Sequence, residues 1–560
     1  MVKRFIKFFN SKQGPIGEAA LVLGIFSLLS QILGLIRDRM LVNSIGSGPI
    51  LDVYYAAFRI PDFLYISVAS LASVTVLLPF LVDRIDDKNN DKARIFLNSI
   101  FTVYMVFMLI ASIVIAILMP YIAPLVAPGF NNEQLVLLIK ISRIMLLSPI
   151  FIGLSNMLGT VTQLFRNFFV FSLSPVFYNL GILFGVVYLY PKLGVTGLAF
   201  GVVIGALLHL SIQIPVIISH GFFPLFTSKI SWTEIYKVVR TSFPRTVALS
   251  CTSLVFIVLI SLASLLVPGS ISLFTFSYNL QSVPVGIIGI SYSVAAFPVL
   301  VKSFSNKDMD AFVKQIVSTA RSIIFWSLPI IALLAVLRAQ IVRVVLGSQR
   351  FSWSDTRLTA AAVALFIVSL VTQSLVLLLV RSYYASGNTK KPLLISVFSS
   401  IMIIIFAFLF LFIFENYPYI LSNLESLLRV QHVSGTKLLA LPLAYSIGSF
   451  LNFILLWIYF KKDFLPYHSS ELFQSFLQST VASIVMGTTS YVMLGILDNI
   501  LDINTGYGIL LQGLFSGLIG IGLGVIVLAL MKNKELFDLI DTLSHKFWRS
   551  RVIAPEQKEL

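Results

Sequence analysis

Apolar residues in this chain run in long blocks rather than alternating with polar ones. Ile100–Val126 and Ile401–Phe414 contain no charged residue, and about 20 apolar residues in a helix cross a hydrocarbon core. The blocks are apolar on every face, the pattern of helices surrounded by lipid rather than helices packed on a water-soluble core. About fourteen spans are expected, near 17–45, 50–82, 95–127, 134–163, 168–190, 195–219, 235–267, 271–302, 312–346, 356–387, 392–414, 436–460, 471–497 and 506–531. The predicted class is an all-α integral membrane protein. Ahead of the first span, Lys3, Arg4, Lys7 and Lys12 alternate with Phe5, Ile6, Phe8 and Phe9. Residues 1–16 therefore read as a cytoplasmic amphipathic segment lying on the membrane.

The two halves repeat. Pro79 in Leu78-Pro79-Phe80 closes the second span and Pro298 in Phe297-Pro298-Val299 closes the eighth, an offset of 219 residues. Gln163–Pro175, entering the fifth span, resembles Arg381–Pro392, entering the eleventh. The repeat is parallel: spans one to six form an N-lobe over 17–220, and spans seven to twelve a C-lobe over 221–460. Parallel repeats are one construction of transporters, with the substrate site between the halves. Residues 461–532 add spans thirteen and fourteen, and 533–560 form a cytoplasmic tail.

Composition agrees with the pattern. The 560 residues are 58% hydrophobic and 11% charged, with a mean hydropathy of +0.95. Soluble domains carry about 25% charged residues. The net charge of +16 would suit a nucleic-acid partner, but the basic residues sit in short loops and tails. With the N-terminus inside, 26 of the 40 Lys and Arg fall on the inner side and 7 on the outer. That asymmetry puts both termini in the cytoplasm and excludes nucleic acid. A cluster at 338–357 departs from the rule.

Charges at membrane depth default to function. The first span carries Gln31 and then Arg37-Asp38-Arg39, and the second carries Asp52 and Arg59. Arg37 and Asp38 are adjacent on a helix, so only one of them is expected in any given interface. Asp52 and Arg59 are two turns apart and are expected on one face of a continuous helix. Arg37, Asp38, Asp52 and Arg59, with Arg39 beside them, outline a cationic cavity, since guanidinium groups suit a diphosphate; the alternative is structural ion pairs or snorkelling near helix ends. Lys140, Arg143, Arg245 and Arg321 lie nearer span ends, where structural ion pairs or snorkelling are the expectation. Pro61, and Pro284 followed by Gly286 and Gly289, are candidate hinges, against ordinary kinked packing. The Gly197/Gly201/Gly205 and Gly517/Gly520/Gly524 rows read as close helix packing.

Catalytic chemistry finds no foothold. Five scattered His residues and one Cys, Cys251, offer no metal site and no disulfide. Asp83, Asp86 and Asp87 are interleaved with Arg84 and Lys88, as in a solvated turn. There is no GxxxxGK[ST] loop. The expectation is a transporter without cofactor, driven by the membrane potential or an ion gradient.

Gly34-Leu35-Ile36-Arg37-Asp38, followed by Asp52-Val53-Tyr54-Tyr55-Ala56-Ala57-Phe58-Arg59-Ile60-Pro61-Asp62, is similar to the lipid II flippase (MurJ, or MviN) family. That family lies within the multidrug, oligosaccharidyl-lipid and polysaccharide exporter group. Ala127-Pro128-Gly129-Phe130, Phe297-Pro298 and Tyr383-Tyr384-Ala385-Ser386-Gly387-Asn388-Thr389-Lys390-Lys391-Pro392 extend the resemblance. It implies two six-helix lobes around a central cavity and two C-terminal helices that groove the lipid tail. It further implies alternating access in the bacterial cytoplasmic membrane, carrying lipid-linked peptidoglycan precursor to the outer leaflet. The implied partners are a polyprenyl-diphosphate-linked glycan and membrane lipids, and a monomer is compatible with this. By the resemblance, Arg37, Asp38, Asp52 and Arg59 line the cavity, with Arg39 or Arg245 as further cations. Gln31, Tyr65, Ile66 and Asn279 stand where the family has arginines, and Ser70-Leu71 where it has Glu-Gly. The cargo therefore stays open between lipid II and another undecaprenyl-linked glycan or amphipathic molecule. A membrane-embedded glycosyl- or acyltransferase and a silent scaffold are the readings from other classes.

Overall fold

The computed structural model describes residues 16–69, 74–85, 90–464, 470–502 and 505–547, and every element described is helical. In chain order the helices are α1 (Ile16–Ile45), α2 (Pro49–Ala57), α3 (Arg59–Ala69), α4 (Val74–Val82) and α5 (Asp91–Val126). Next come α6 (Asn132–Leu164), α7 (Phe168–Leu193), α8 (Val195–Ser219), α9 (Trp232–Ser264), α10 (Ser270–Ser305) and α11 (Met309–Leu346). They are followed by α12 (Trp353–Ile367), α13 (Leu370–Ala385), α14 (Lys390–Asn416), α15 (Pro418–Leu428) and α16 (Thr436–Phe464). The last three are α17 (Ser470–Asp498), α18 (Gly506–Leu530) and α19 (Lys534–Phe547). Among the described residues, 11 helices are long and apolar enough to cross a membrane. The number is 12 if α12 and α13, bent by 43°, count as one. The expected N-terminal amphipathic segment lies outside the described residues except for Ile16, as do Ser70-Leu71, Asp86 and Asp87.

The second expected span is not one helix. Pro61 has no N–H to bond the Ala57 carbonyl, so the hydrogen-bond ladder is interrupted at Phe58, between α2 and α3, while Phe58 itself keeps α-helical dihedrals (φ −70°, ψ −24°). The same thing happens in α6, where Pro149 cannot bond the Met145 carbonyl and the helix breaks at Leu146. Asp52 and Arg59 thus lie on either side of the interruption, in α2 and α3. Pro284 acts differently: α10 keeps its helical path but widens into a π-helical turn over Val285–Ile290, which contains Gly286 and Gly289. π turns recur at functional sites.

The chain separates into two compact units. The first holds residues up to Val283 together with Val345–Ser369 and Gly387–Leu456. The second holds Pro284–Val344, Leu370–Ser386 and the chain from Trp457 onward. Pro284 is thus the first residue of the second unit.

Within the first unit, Leu77, Leu81, Leu97, Met108, Met157 and Val161 pack as a core between α4, α5 and α6. A second knot is aromatic: Phe256, Phe274, Tyr278, Phe366 and Tyr445 contact one another edge-on or tilted at 4.5–6.4 Å. The outward faces are apolar as well. On α5, Ile110, Ile113 and Ile117 are 57–65% exposed, as lipid-facing side chains are.

Lipid tails are as apolar as leucine, so helices associate by close fit instead of by hydrophobic exclusion. A Cβ on Gly181 would lie 2.3 Å from Gly205 Cα, and one on Gly185 2.6 Å from Gly201 Cα. The glycine row of α8 thus brings its backbone against α7. In the second unit a Cβ on Gly520 would lie 2.1 Å from Ser490 Oγ, and one on Gly524 2.1 Å from Met486 Cγ. Close packing is therefore the role of both rows. We predict that Gly201→Val, a substitution into a backbone contact, destabilises the protein by at least the ~1–3 kcal/mol typical of overpacking. Gly24→Val, at a position with nothing within 4 Å, leaves stability unchanged. Thermal unfolding of both variants in detergent checks the difference.

Candidate functional site

The first unit contains most of the residues singled out from the sequence. Asp38 is 1% exposed, and an ionised carboxylate there needs donors from the protein. Arg37 supplies two, Nη2 at 2.8 Å and Nε at 3.0 Å. Asn279 Nδ2 donates at 2.8 Å and the Tyr55 hydroxyl at 3.3 Å. The adjacent Arg37 and Asp38 do share an interface, against the sequence expectation. An arginine side chain is long enough to fold back over the neighbouring residue, so the Cβ directions do not decide the matter. Arg37 Nη1 also donates to Asn179 Oδ1 at 3.3 Å, and Asn179 Nδ2 donates to Ser30 Oγ at 3.1 Å. Arg37 and Asp38 thus form a neutral, hydrogen-bonded knot joining α1, α2, α7 and α10.

Asp52 is 4% exposed and serves a different partner. Its Oδ2 accepts from the Gly269 N–H at 2.6 Å; its Oδ1 accepts from the Ser272 N–H at 2.8 Å and the Ser272 hydroxyl at 2.5 Å. The first N–H groups of a helix have no intrahelical acceptor and carry the positive end of the helix dipole. Asp52 therefore caps α10 from another helix. Gly269 is held at φ +95°, and a Cβ there would lie 3.2 Å from the Ser47 carbonyl oxygen. Both features favour glycine.

The α1–α2 turn is tied down at further points. The Ser47 hydroxyl donates to Asp355 Oδ2 at 2.8 Å, and Asp355 also completes a capping box with Ser352 at the start of α12. Arg350 donates to the Ser44 carbonyl near the end of α1. Arg357 donates to the Arg429 carbonyl at the end of α15, 3.1 Å from its Nε. These contacts account for half of the basic cluster at 338–357: Arg350 and Arg357 sit on carbonyls exposed at helix C-termini, where a cation is favoured.

Arg59 is a third case. It is the first residue of α3, where the helix dipole disfavours a cation. Its Nε is buried without a hydrogen-bond partner. Asp62, one turn further on, is exposed and couples to it electrostatically without forming an ion pair within 4.0 Å. Arg39 is exposed and Arg245 is half-buried on α9. Among the residues expected nearer span ends, Arg143 donates to the Ala116 carbonyl at 2.8 Å and Arg321 bonds Glu535 at 2.6 Å. Both are structural contacts.

Positions where arginines were expected from the family pattern are occupied by neutral groups. Asn279 serves Asp38, Tyr65 accepts from Asn156 Nδ2, and Gln31 buries an Oε1 with no partner. Tyr55, Asn179, Ser272, Arg350 and Asp355 were not identified from the sequence. Of these only Asp355 had a legible signal, the Ser352-x-x-Asp355 capping pattern. Among the described residues no three or more His, Cys, Asp or Glu side chains gather as a metal site.

Removing a buried carboxylate that caps a helix is costly. We predict that Asp52→Ala destabilises the protein by about 1.5–3 kcal/mol, the range for hydrogen bonds to charged groups, and that Asp52→Asn costs less. Denaturant unfolding in detergent measures both.

Comparison with known proteins places this arrangement. The family described as "Lipid II flippase MurJ" matches residues 41–505. The "Lipid II flippase MurJ" of Burkholderia cenocepacia is 23% identical over 485 residues, covering 84% of this chain and 88% of that protein. The "Probable lipid II flippase MurJ" of Haemophilus influenzae is 26% identical over 492 residues, covering 82% and 89%. Among solved structures, "Lipid II flippase MurJ, inward closed conformation" superposes with a TM-score of 0.73 at 21% identity, covering 93% of this chain and all of that one. An inward-facing multidrug MATE transporter of the MOP superfamily superposes at 0.62 with 15% identity, covering 80% of this chain. With the family pattern running through α1's last turn, the broken second span and most of the helices that follow, this chain is a member of the lipid II flippase MurJ family.

Proposed function

We propose that this protein moves a polyprenyl-diphosphate-linked peptidoglycan precursor, lipid II or a close relative, from the inner to the outer leaflet by alternating access. The observation that carries the reading is Arg59. A guanidinium at the wrong end of a helix dipole, coupled to Asp62 but in no ion pair with it, is left with a buried and unpartnered Nε. A phosphate oxygen would satisfy both the charge and the orphaned donor. Arg37 is unsuited to that role because Asp38 already neutralises it. Arg39 and Arg245 are the further cations of the proposed site.

The contacts around Ser44–Asp52 support a state closed on the outer side. The α1–α2 turn is bonded to the start of α10 by Asp52 and to α12 by Ser47, with Arg350 on Ser44. Outward opening would exchange these bonds for water. Pro61 and the Pro284–Gly289 segment are the proposed hinges. Both termini are cytoplasmic in this reading, by the 26-to-7 distribution of Lys and Arg. Helix α1 and the broken α2–α4 complete fourteen spans, arranged as lobes over 17–220 and 221–460. The α17–α18 pair then grooves the lipid tail. Transport needs no catalytic residue or cofactor and is driven by the membrane potential or an ion gradient.

A second reading concerns cargo alone. The neutral groups at Gln31, Tyr65, Ile66 and Asn279, two of them engaged in internal hydrogen bonds, favour a headgroup gripped by fewer cations. Such a headgroup belongs to another undecaprenyl-linked glycan.

Complementation tests the proposal. In a bacterium whose own lipid II flippase is shut off, wild-type protein is expected to restore growth and Arg59→Ala to abolish it at equal membrane abundance, with Arg59→Lys retaining part of the activity. Rescue by Arg59→Ala would remove Arg59 from the site. Normal insertion without rescue by the wild type, in a host also supplied with its native partners, would favour the second cargo.

A further inference from the structure

Helix α19 follows α18 after only three residues, yet it is built unlike any membrane span. Its 14 residues reach about 21 Å at 1.5 Å per residue, too short to cross the bilayer. In the sequence Leu536, Ile540, Leu543 and Phe547 recur at spacings of four, three and four residues, the apolar period of an amphipathic helix. Asp538 and Asp541 fall opposite Leu536 and Ile540.

The corner between the two helices is constructed with care. Lys532 adopts a left-handed conformation at φ +50°. The Asn533 N–H donates to the Leu528 carbonyl and the Lys532 N–H to the Ala529 carbonyl, both at 3.0 Å. This is a Schellman ending, made here without glycine. The buried Asn533 then caps α19, accepting from the Leu536 N–H at 3.0 Å. Its amide donates to Gln478 Oε1 at 2.8 Å, while Gln478 Nε2 donates to the Met531 carbonyl at 3.1 Å. Within the first turn, Glu535 accepts from Arg321 Nε at 2.6 Å and from the Ser475 hydroxyl at 3.2 Å. The side chains of this ion pair are only 15% and 9% exposed. Helix α19 is thus bolted to both α11 and α17.

The docking covers only part of the apolar surface, which Phe537 extends along one flank. Leu536 packs against Phe325, Ala482 and Leu528, but Phe537 stays 44% and Ile540 46% exposed. An apolar face of this kind, on a helix that begins four residues past a membrane-spanning one, has a bilayer surface directly beside it. We propose that α19 is an in-plane membrane anchor: the Arg321–Glu535 pair sets its rotation, and Phe537 and Ile540 enter the acyl region of the adjoining leaflet. The occupant of the exposed edge is lipid, because α18 delivers the edge to the interface and no soluble partner is needed to cover it. Trp548-Arg549-Ser550-Arg551, which follow in the sequence, have the aromatic and basic character of an interfacial segment. The inference does not depend on the identity of the cargo.

Nitroxide accessibility tests it on the full-length protein. In a Cys251→Ser background, single labels at Phe537→Cys, Ile540→Cys, Asp538→Cys and Asp541→Cys are placed in vesicles of phosphatidylethanolamine and phosphatidylglycerol. At 537 and 540 the ratio of collisions with oxygen to collisions with an aqueous nickel chelate is expected to exceed that at 538 and 541 several-fold. Equal nickel access at all four positions would place the helix in water and overturn the proposal. Exclusion of both reagents from 537 and 540 would mean that protein covers the edge, and would overturn it equally. With Glu535→Gln added, the contrast between the two pairs of positions is expected to shrink. An unchanged contrast would remove the ion pair from its assigned role.

Discussion

Water is absent from the core of a bilayer, so a carboxylate placed there must find its donors within the protein. Asp52 meets that requirement with the unpaired N–H groups of α10, and much of the first unit is organised around the solution. The start of α10 has to come within 2.6 Å of a side chain on α2, which in turn requires a glycine with positive φ at 269 and no Cβ near the Ser47 carbonyl. The same approach places Ser47 within reach of Asp355. A side chain that reads in the sequence as part of a cationic binding site is, in the folded protein, the cap of a distant helix.

Asp38 shows the complementary case. It too is buried, but its donors are side chains, and one of them is the cation next to it in sequence. An ion pair in low dielectric repays its desolvation only when the remaining lone pairs are also satisfied. Tyr55 and Asn279 supply those further donors. With Arg37 thus engaged, Arg59 stands apart: it is the first residue of α3 because Pro61 interrupts the hydrogen-bond ladder after Ala57, and its Nε is buried without a partner. Backbone chemistry and charge placement are therefore linked.

Glycine rows and π turns show how much of the packing is set by the absence of side chains. The α7–α8 contact is close because Gly181, Gly185, Gly201 and Gly205 face one another, and the π turn of α7 begins at Gly185. These rows were legible as packing motifs, since few other uses exist for glycines spaced by four in an apolar helix. The reason for the basic cluster at 338–357 was not legible. Arg350 and Arg357 violate the charge asymmetry of the loops, and their reason, the open carbonyl ends of α1 and α15, lies 306 and 72 residues away in the chain.

The sequence by itself determined that the chain is a helical membrane protein, roughly where it crosses, and which family it resembles. Those properties follow from hydrophobic length and from short local motifs, and neither depends on what a segment touches. Tertiary structure decided how each charge is used. Arg37, Asp38, Asp52 and Arg59 are equivalent in the sequence, four charges in two apolar spans. They divide into a neutral knot, a helix cap and an unpartnered cation because the available donors and acceptors sit on α7 and α10, more than a hundred residues away. Spacing along one helix cannot report a partner on another, and in a medium without water the partner is what assigns the role.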